Sequence, residues 1–287
     1  NTVLYAGTDL AHAITGVGFQ PDLLWVKARN TGYSHRLTDA LIGATNTLKT
    51  NTTDSLSTND VFDSLDSDGF TVGTDAGGNG DGITFVAWNW KANGSGASNE
   101  VGSINTTATS ANADAGFSII SYTGNATSGA TIGHGLSKAP EFWTVKRRNS
   151  AGDDWNSYHK GIASDAETDW IRLNGTAVAA DNAAMWNDQA PTSSVIYLGN
   201  HAEVNGSTDT YICYAWHSVD GYSKMGSYVG NGNADGPFIY TGFRPAYILT
   251  KRHDGVTHWH IVDTERSAYN EMVIGLLANT NDADSVS

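Results

Sequence analysis

Short runs of aromatic, aliphatic and β-branched residues punctuate this chain, and most are bounded by Gly, Asn, Asp or Ser. Leu23-Leu24-Trp25-Val26, Phe70-Thr71-Val72, Phe85-Val86-Ala87-Trp88, Val195-Ile196-Tyr197-Leu198 and Tyr211-Ile212-Cys213-Tyr214 are of this kind. Such side chains fit a pleated, half-buried surface, and turn formers at both ends mark where the segment stops, so the pattern predicts strands. Helical periodicity is faint. The stretch from Asp263 to Leu277 would make a few turns with Asp263 or Thr264 as N-cap, or else a loop followed by a strand. The chain is expected to be all-β.

The runs repeat. Tyr5-Ala6-Gly7 precedes Gly18-Phe19-Gln20-Pro21, and six positions after that Pro stands Lys27. Tyr122-Thr123-Gly124-Asn125 precedes Gly135, Pro140 and Lys146, and Tyr228-Val229-Gly230-Asn231 precedes Gly242, Pro245 and Lys251. The Tyr-to-Pro separation stays between 16 and 18. Each copy reads as a Tyr-led strand followed by a Pro-initiated apolar strand, because Pro is tolerated where a strand begins. Downstream, Phe70–Gly73 matches Val195–Gly199, and Phe85–Trp90 matches Tyr211–Trp216. Antiparallel β-sandwiches in tandem, of the concanavalin or jelly-roll kind, are the architecture this predicts. A first unit spans residues 1–91, a polar linker 92–114, a second unit 115–223 and a partial third unit 224–287. The third copy has no counterpart of the strands ending at Trp90 and Trp216. A sandwich without its closing strands exposes apolar surface and unpaired backbone. The expectation is therefore a fragment of a longer chain, or a third unit completed by another chain.

Composition supports strands joined by polar turns. Only 16% of the 287 residues are charged, and 32 are Gly. The formal charge of −14 repels phosphate backbones and anionic lipids, so neither nucleic acid nor membrane is an expected partner. No stretch approaches the ~20 apolar residues of a membrane helix, and Asn1-Thr2-Val3-Leu4-Tyr5 does not open a signal peptide. Cys213, the one cysteine, lies in an apolar run and reads as a buried, inert thiol.

The repeated Tyr-x-Gly-Asn-Gly, the Gly-to-Pro-to-Lys-x-Arg segment and the closing aromatic-Val-Ala-Trp-x-Trp resemble repeats of tail-fibre-like and other virion-surface proteins of bacteriophages. The resemblance covers nearly the whole chain and implies concanavalin-like or SPRY-like β-sandwiches. It carries over no catalytic or binding residue. One departure stands out: Ser34-His35-Arg36 occupies the place of Trp155 and Trp259.

Candidate chemistry is sparse. Asp39 and Asp263 hold comparable places, but the second unit has Tyr158-His159-Lys160 there, so no acid pair for glycoside cleavage is in register. Nucleophile signatures are missing. His258 and His260, at i and i+2, share one face of a strand without a third ligand. Asp66, Asp68, Asp75 and Asp81 sit on Gly-rich turns and are candidate ligands for calcium, the one cofactor considered. Trp155, Trp170 and Trp186, among Asp, Asn and Gln, are candidates for stacking on sugars, with Asp153 and Asp154 beside them. Asn51 and Asn174 are sequons at comparable places and candidate glycosylation sites.

These features predict a non-enzymatic structural and adhesive protein of an extracellular fibre or virion surface. It would associate with itself as a homo-oligomer or filament and contact surface glycans. The alternatives are a subunit of a self-assembling helical fibril whose third unit is completed in trans, and a monomeric carbohydrate-binding module.

Overall fold

A computed structural model of the chain describes residues 1–269 and 272–286. The first unit comprises β1 (Thr2–Ala6), β2 (His12–Thr15), β3 (Leu23–Ala28), β4 (Arg36–Asp39), β5 (Asn46–Thr47), β6 (Ser57–Thr58), β7 (Phe62–Asp66), β8 (Gly69–Val72), the single turn α1 (Ala76–Asn79) and β9 (Thr84–Trp90). Its strands form an antiparallel sheet β1-β9-β3-β4 and a second sheet β2-β8-β7. Leu24, Val26, Ala28, Phe85 and Ala87 of one sheet meet Ile14, Phe62, Phe70 and Val72 of the other in a sandwich core.

The alternate residues of the same strands are also buried. Leu23, Trp25, Val86 and Trp88 face away from the sandwich and into a core shared by all three units. A sheet buried on both faces needs apolar residues at nearly every position, which is why these strands read as continuous runs rather than alternating ones.

The second unit repeats the plan with β10 (Ala108–Asn112), β11 (Phe117–Thr123), β12 (Ala130–Gly133), β13 (Phe142–Arg147), β14 (Asn156–His159), β15 (Asp169–Arg172), β16 (Ala180–Asp181), α2 (Ala183–Trp186), β17 (Val195–Leu198), α3 (Ala202–Asn205) and β18 (Thr210–Trp216). Its large sheet runs β10-β11-β18-β13-β14-β15-β16, and β12 pairs with β17. The 92–114 stretch is not a free linker. Its β10 pairs with β11 from Ala108↔Ser121 to Asn112↔Phe117, and Ala92 and Ile104 join the shared core. The small side chains of this strand carry no apolar signal, and its order comes from the ladder.

The third unit is one sheet, β19 (Tyr247–Lys251), β20 (Trp259–Asp263), β21 (Ile274–Leu277) and β22 (Ser285–Val286). Between Asp263 and Leu277 the described residues form no helix and end in β21, as in the loop-then-strand alternative; Asn270 and Glu271 lie outside the described residues. Among the described residues β19 pairs only with β20. Its counterparts β3 and β13 each lie between two strands, with β9 and β18 respectively on the other edge. The all-β fold with two complete sandwiches and a partial third is the architecture the repeats predict.

Candidate functional site: the seams between the three units

Each unit places one residue of a matched set, His35, Trp155 or Trp259, at or just before the start of a short strand, and all three are treated alike. Their backbone N–H groups donate to the Oδ1 of Asn51 (3.0 Å), Asn174 (2.9 Å) and Asn279 (3.0 Å) within the same unit. Their side chains then cross to a neighbour. Trp155 Nε1 donates to Lys49 O at 2.9 Å, joining the second unit to the first. Trp259 Nε1 donates to Arg172 O at 2.8 Å, joining the third to the second. His35 Nε2 lies 3.1 Å from Leu277 O and closes the ring from the first to the third. Trp25 Nε1 donates to His35 Nδ1 at 2.8 Å, so the imidazole proton sits on Nε2 and points at that carbonyl. Burial, and next the nearby Lys27 ammonium, push His35 down to about 3, so it stays neutral.

Backbone bonds trace the same triangle in the opposite sense. Leu56 N donates to Arg148 O, Ala179 N to His253 O and Asp284 N to Arg29 O, at 2.9, 2.8 and 2.7 Å. Two of the three repeated lysines bond across these seams. Lys146 Nζ reaches Thr53 O at 3.2 Å and Lys251 Nζ reaches Thr176 O at 3.4 Å. Lys27 is fully buried and donates to Ala28 O, and desolvation lowers its ammonium to about 8 despite the opposing pull of Asp284.

A third kind of clasp joins the closing strands to their neighbours. Tyr214 of β18 donates its hydroxyl to Asp39 Oδ2 at 2.6 Å. Trp88 of β9 donates Nε1 to Asp263 Oδ2 at 3.0 Å. Asp39 is otherwise held by the N–H groups of Leu41 and Ile42, and burial raises its pKa. Asp263 also pairs with the fully buried Arg266 at 2.6 Å, and Arg266 reaches Asp284 at 3.0 Å. Asp39 and Asp263 are thus acceptors for seams and lie in different interfaces. At the equivalent place the second unit has His159, whose Nδ1 accepts from Gly161 N at 2.9 Å.

The candidate sugar-binding aromatics are placed differently from the expectation. Trp155 and Trp186 are 0% exposed and Trp170 is 9% exposed, so none offers a free face. Their polar neighbours are partners and not solvent markers: Asp153 pairs with Arg147 at 3.4 Å, Asp154 with Arg172 at 2.5 Å, and Trp186 Nε1 donates to Asp169 O at 3.1 Å. The amide nitrogens that would carry glycans are committed too, Asn51 Nδ2 to Ser34 Oγ at 3.3 Å and Asn174 Nδ2 to Asp154 Oδ1 at 2.8 Å.

The four candidate calcium ligands are not brought together. Asp66 accepts from Ser64 and Thr71 hydroxyls, and Asp68 from Gly16 and Gly18 N–H groups. Asp75 caps α1 through Gly77 N at 2.8 Å, and Asp81 donates its backbone N–H to Asp9. Among the described residues no three His, Cys, Asp or Glu side chains cluster to hold a metal. His258 Nδ1 meets Asn279 Nδ2 at 3.0 Å, while His260 is exposed on β20. Cys213 is buried, and desolvation raises its thiol pKa.

The sequence does not mark the third member of the asparagine set, Asn279, because Asn279-Thr280-Asn281 is not a sequon. Nor does it mark the role of Asn79 and Asn205, which are buried, end α1 and α3, and tie each to the residues before it and to a distant segment. Asn79 Nδ2 donates to Gly73 O and Leu10 O, and Asn205 Nδ2 to Gly199 O and Thr127 O. Their common place in the repeat, a few residues before β9 and β18, was the available signal.

Compared with known proteins, the chain matches the family model described as Domain of unknown function (DUF7483) over residues 1–287. No curated protein and no solved structure matches it.

Proposed function

We propose, from the premise that the chain belongs to the DUF7483 family, that it is a structural and adhesive block of an extracellular fibre or virion surface. The observation that carries this reading is the commitment of its polar side chains to the three seams. The residues that chemistry or ligand binding would need are used as internal hydrogen-bond partners: Asp39 and Asp263 as acceptors, Trp155 and Trp259 as donors, and Lys27 and Lys146 as caps on carbonyls. A low charged fraction and a surface of polar turns suit a protein that persists in an assembly rather than one that turns over a substrate. Contact with glycans would fall to loops at the sandwich ends and not to the buried tryptophans.

Negative-stain electron microscopy of the purified chain across a concentration series tests the proposal. Discrete oligomers or filaments are expected at the higher concentrations. Single particles throughout would overturn it.

A further inference from the structure

We infer that the open edge of β19 is an acceptor for one antiparallel strand of the repeat's own closing type, supplied by polypeptide other than residues 1–287. Three observations support it. First, β3 and β13 each hold such a strand at the same edge, where Arg29 N donates to Thr84 O at 2.7 Å and Arg148 N to Thr210 O at 2.8 Å. His253 stands at that place in the third unit, and every residue of β19 is only half-buried.

Second, the Tyr-led segment of the third unit belongs to no sheet among the described residues. In the complete units the closing strand lies between the Pro-initiated strand and the Tyr-led strand, with Tyr5 stacked on Phe85 at 4.9 Å and Tyr122 on Tyr211 at 5.1 Å. The third Tyr-led segment has no such strand beside it among the described residues, and Tyr228 and Val229 are 57% and 89% exposed. Its start is docked on the second unit: Ser227 approaches Gly161 so closely that a Cβ there would lie 2.8 Å from Oγ.

Third, the seam between the second and third units lacks the clasp that the other two seams have. Tyr214 and Trp88 come from closing strands, and the residue awaiting their counterpart is His159. The tryptophans at the ends of β9 and β18 are already in place: Trp90 lies 5.6 Å from Tyr247 and 6.4 Å from Trp216, and a third closing strand would bring the matching residue.

A second copy of residues 1–287 has no such strand to spare. Its β9 and β18 are each paired on both sides and carry their own cores. The chemistry of the slot also selects the occupant. His159 Nδ1 already accepts from Gly161, so the neutral imidazole presents Nε2–H as a donor. A Tyr hydroxyl at the fifth position of the incoming strand can accept that proton, whereas an indole can only donate. The occupant therefore resembles Thr210–Trp216, with Tyr fifth, more than Thr84–Trp90, with Trp fifth.

Peptide capture tests this on the intact chain at a dilution where it does not assemble. The probes are synthetic peptides of Thr210–Trp216 (with Cys213→Ala) and Thr84–Trp90, with affinity read by titration and the site by amide hydrogen exchange. Stoichiometric binding of the Tyr peptide, about ten-fold tighter than the Trp peptide, is expected, with new protection of Leu249, Lys251 and His253. N-methylation at the positions of Ile212 and Tyr214, which removes the N–H groups facing the edge, abolishes it. The variant His159→Asp restores the acceptor found at Asp39 and Asp263 and reverses the disadvantage of the Trp peptide. Failure of both peptides to protect β19, protection of that edge in the protein alone by a second copy, or preference of unaltered His159 for the Trp peptide would each overturn the inference. The assay requires no assembly, so peptide capture by a chain that stays single at every concentration would sink the fibre reading alone.

Discussion

His35 does with an imidazole what Trp155 and Trp259 do with an indole, and the residue behind it makes up the volume. Trp25 packs at 5.6 Å against the smaller His35, whereas Thr144 and Leu249 hold that strand position behind the two tryptophans. Dense interiors tolerate exchanges that conserve volume and hydrogen bonds together. Trp155→Ala loses both the packing and the bond to Lys49 O, and a cost of ~3–5 kcal/mol is expected in urea unfolding. His35 predicts an acid-side loss of stability. The unfolded chain takes up a proton below the ordinary histidine value of about 6.5, while the folded chain resists until about 3, so stability falls as pH drops through that window. About 2 kcal/mol should be gone by pH 5. Unfolding curves at pH 7 and pH 5 check this, and His35→Gln, which cannot titrate, should show a correspondingly smaller difference between the two pH values.

Among the elements, the closing strands β9 and β18 do the most, since each completes a sandwich with one face and clasps a neighbour with the other. Asp263, where β20 ends, receives the clasp from β9 and neutralises Arg266. Asp263→Ala leaves that buried guanidinium with Asp284 as its remaining carboxylate and its Nε unpaired, and a loss of ~3 kcal/mol is expected, partly recovered when Arg266→Leu is added. Denaturant midpoints of the single and double variants decide the matter. The strands themselves were legible, because Phe85–Trp90 and Tyr211–Trp216 need apolar residues on both faces. The seams were not. Asp153 and Asp154 beside Trp155 look in sequence like the rim of an exposed patch, because a carboxylate that pairs with an arginine from another strand has the same letter as one in solvent. Asp75, likewise, is a turn carboxylate in sequence and a cap on α1 in the structure. β10 escaped notice because Ala, Thr and Ser can form a ladder without advertising a core.

At the scale of the whole molecule, one core runs through all three units. Leu48, Ile171 and Leu276, one from each unit, are all buried in it together with Trp88, Trp143 and Trp259. A shared core couples the units energetically, so a single calorimetric transition is expected. Separate transitions for the first and second units would show that the seams contribute little. Ile171→Ala should lower that one transition as a whole rather than split it, with a cost of ~2–5 kcal/mol.

Beside the backbone bond from Asp284 N to Arg29 O, the Arg29 guanidinium pairs with the Asp284 carboxylate at 2.8 Å, across 255 positions of the chain. Contacts of such separation form late, and domains fold as they leave the ribosome, N-terminal part first. The first unit therefore waits, while the second and third are made, with Lys27, His35 and Leu48, all fully buried in the finished fold, not yet covered. During that interval the growing polypeptide is exposed to capture by chaperones or by a neighbouring nascent chain, and the arrival of Asp284 ends it.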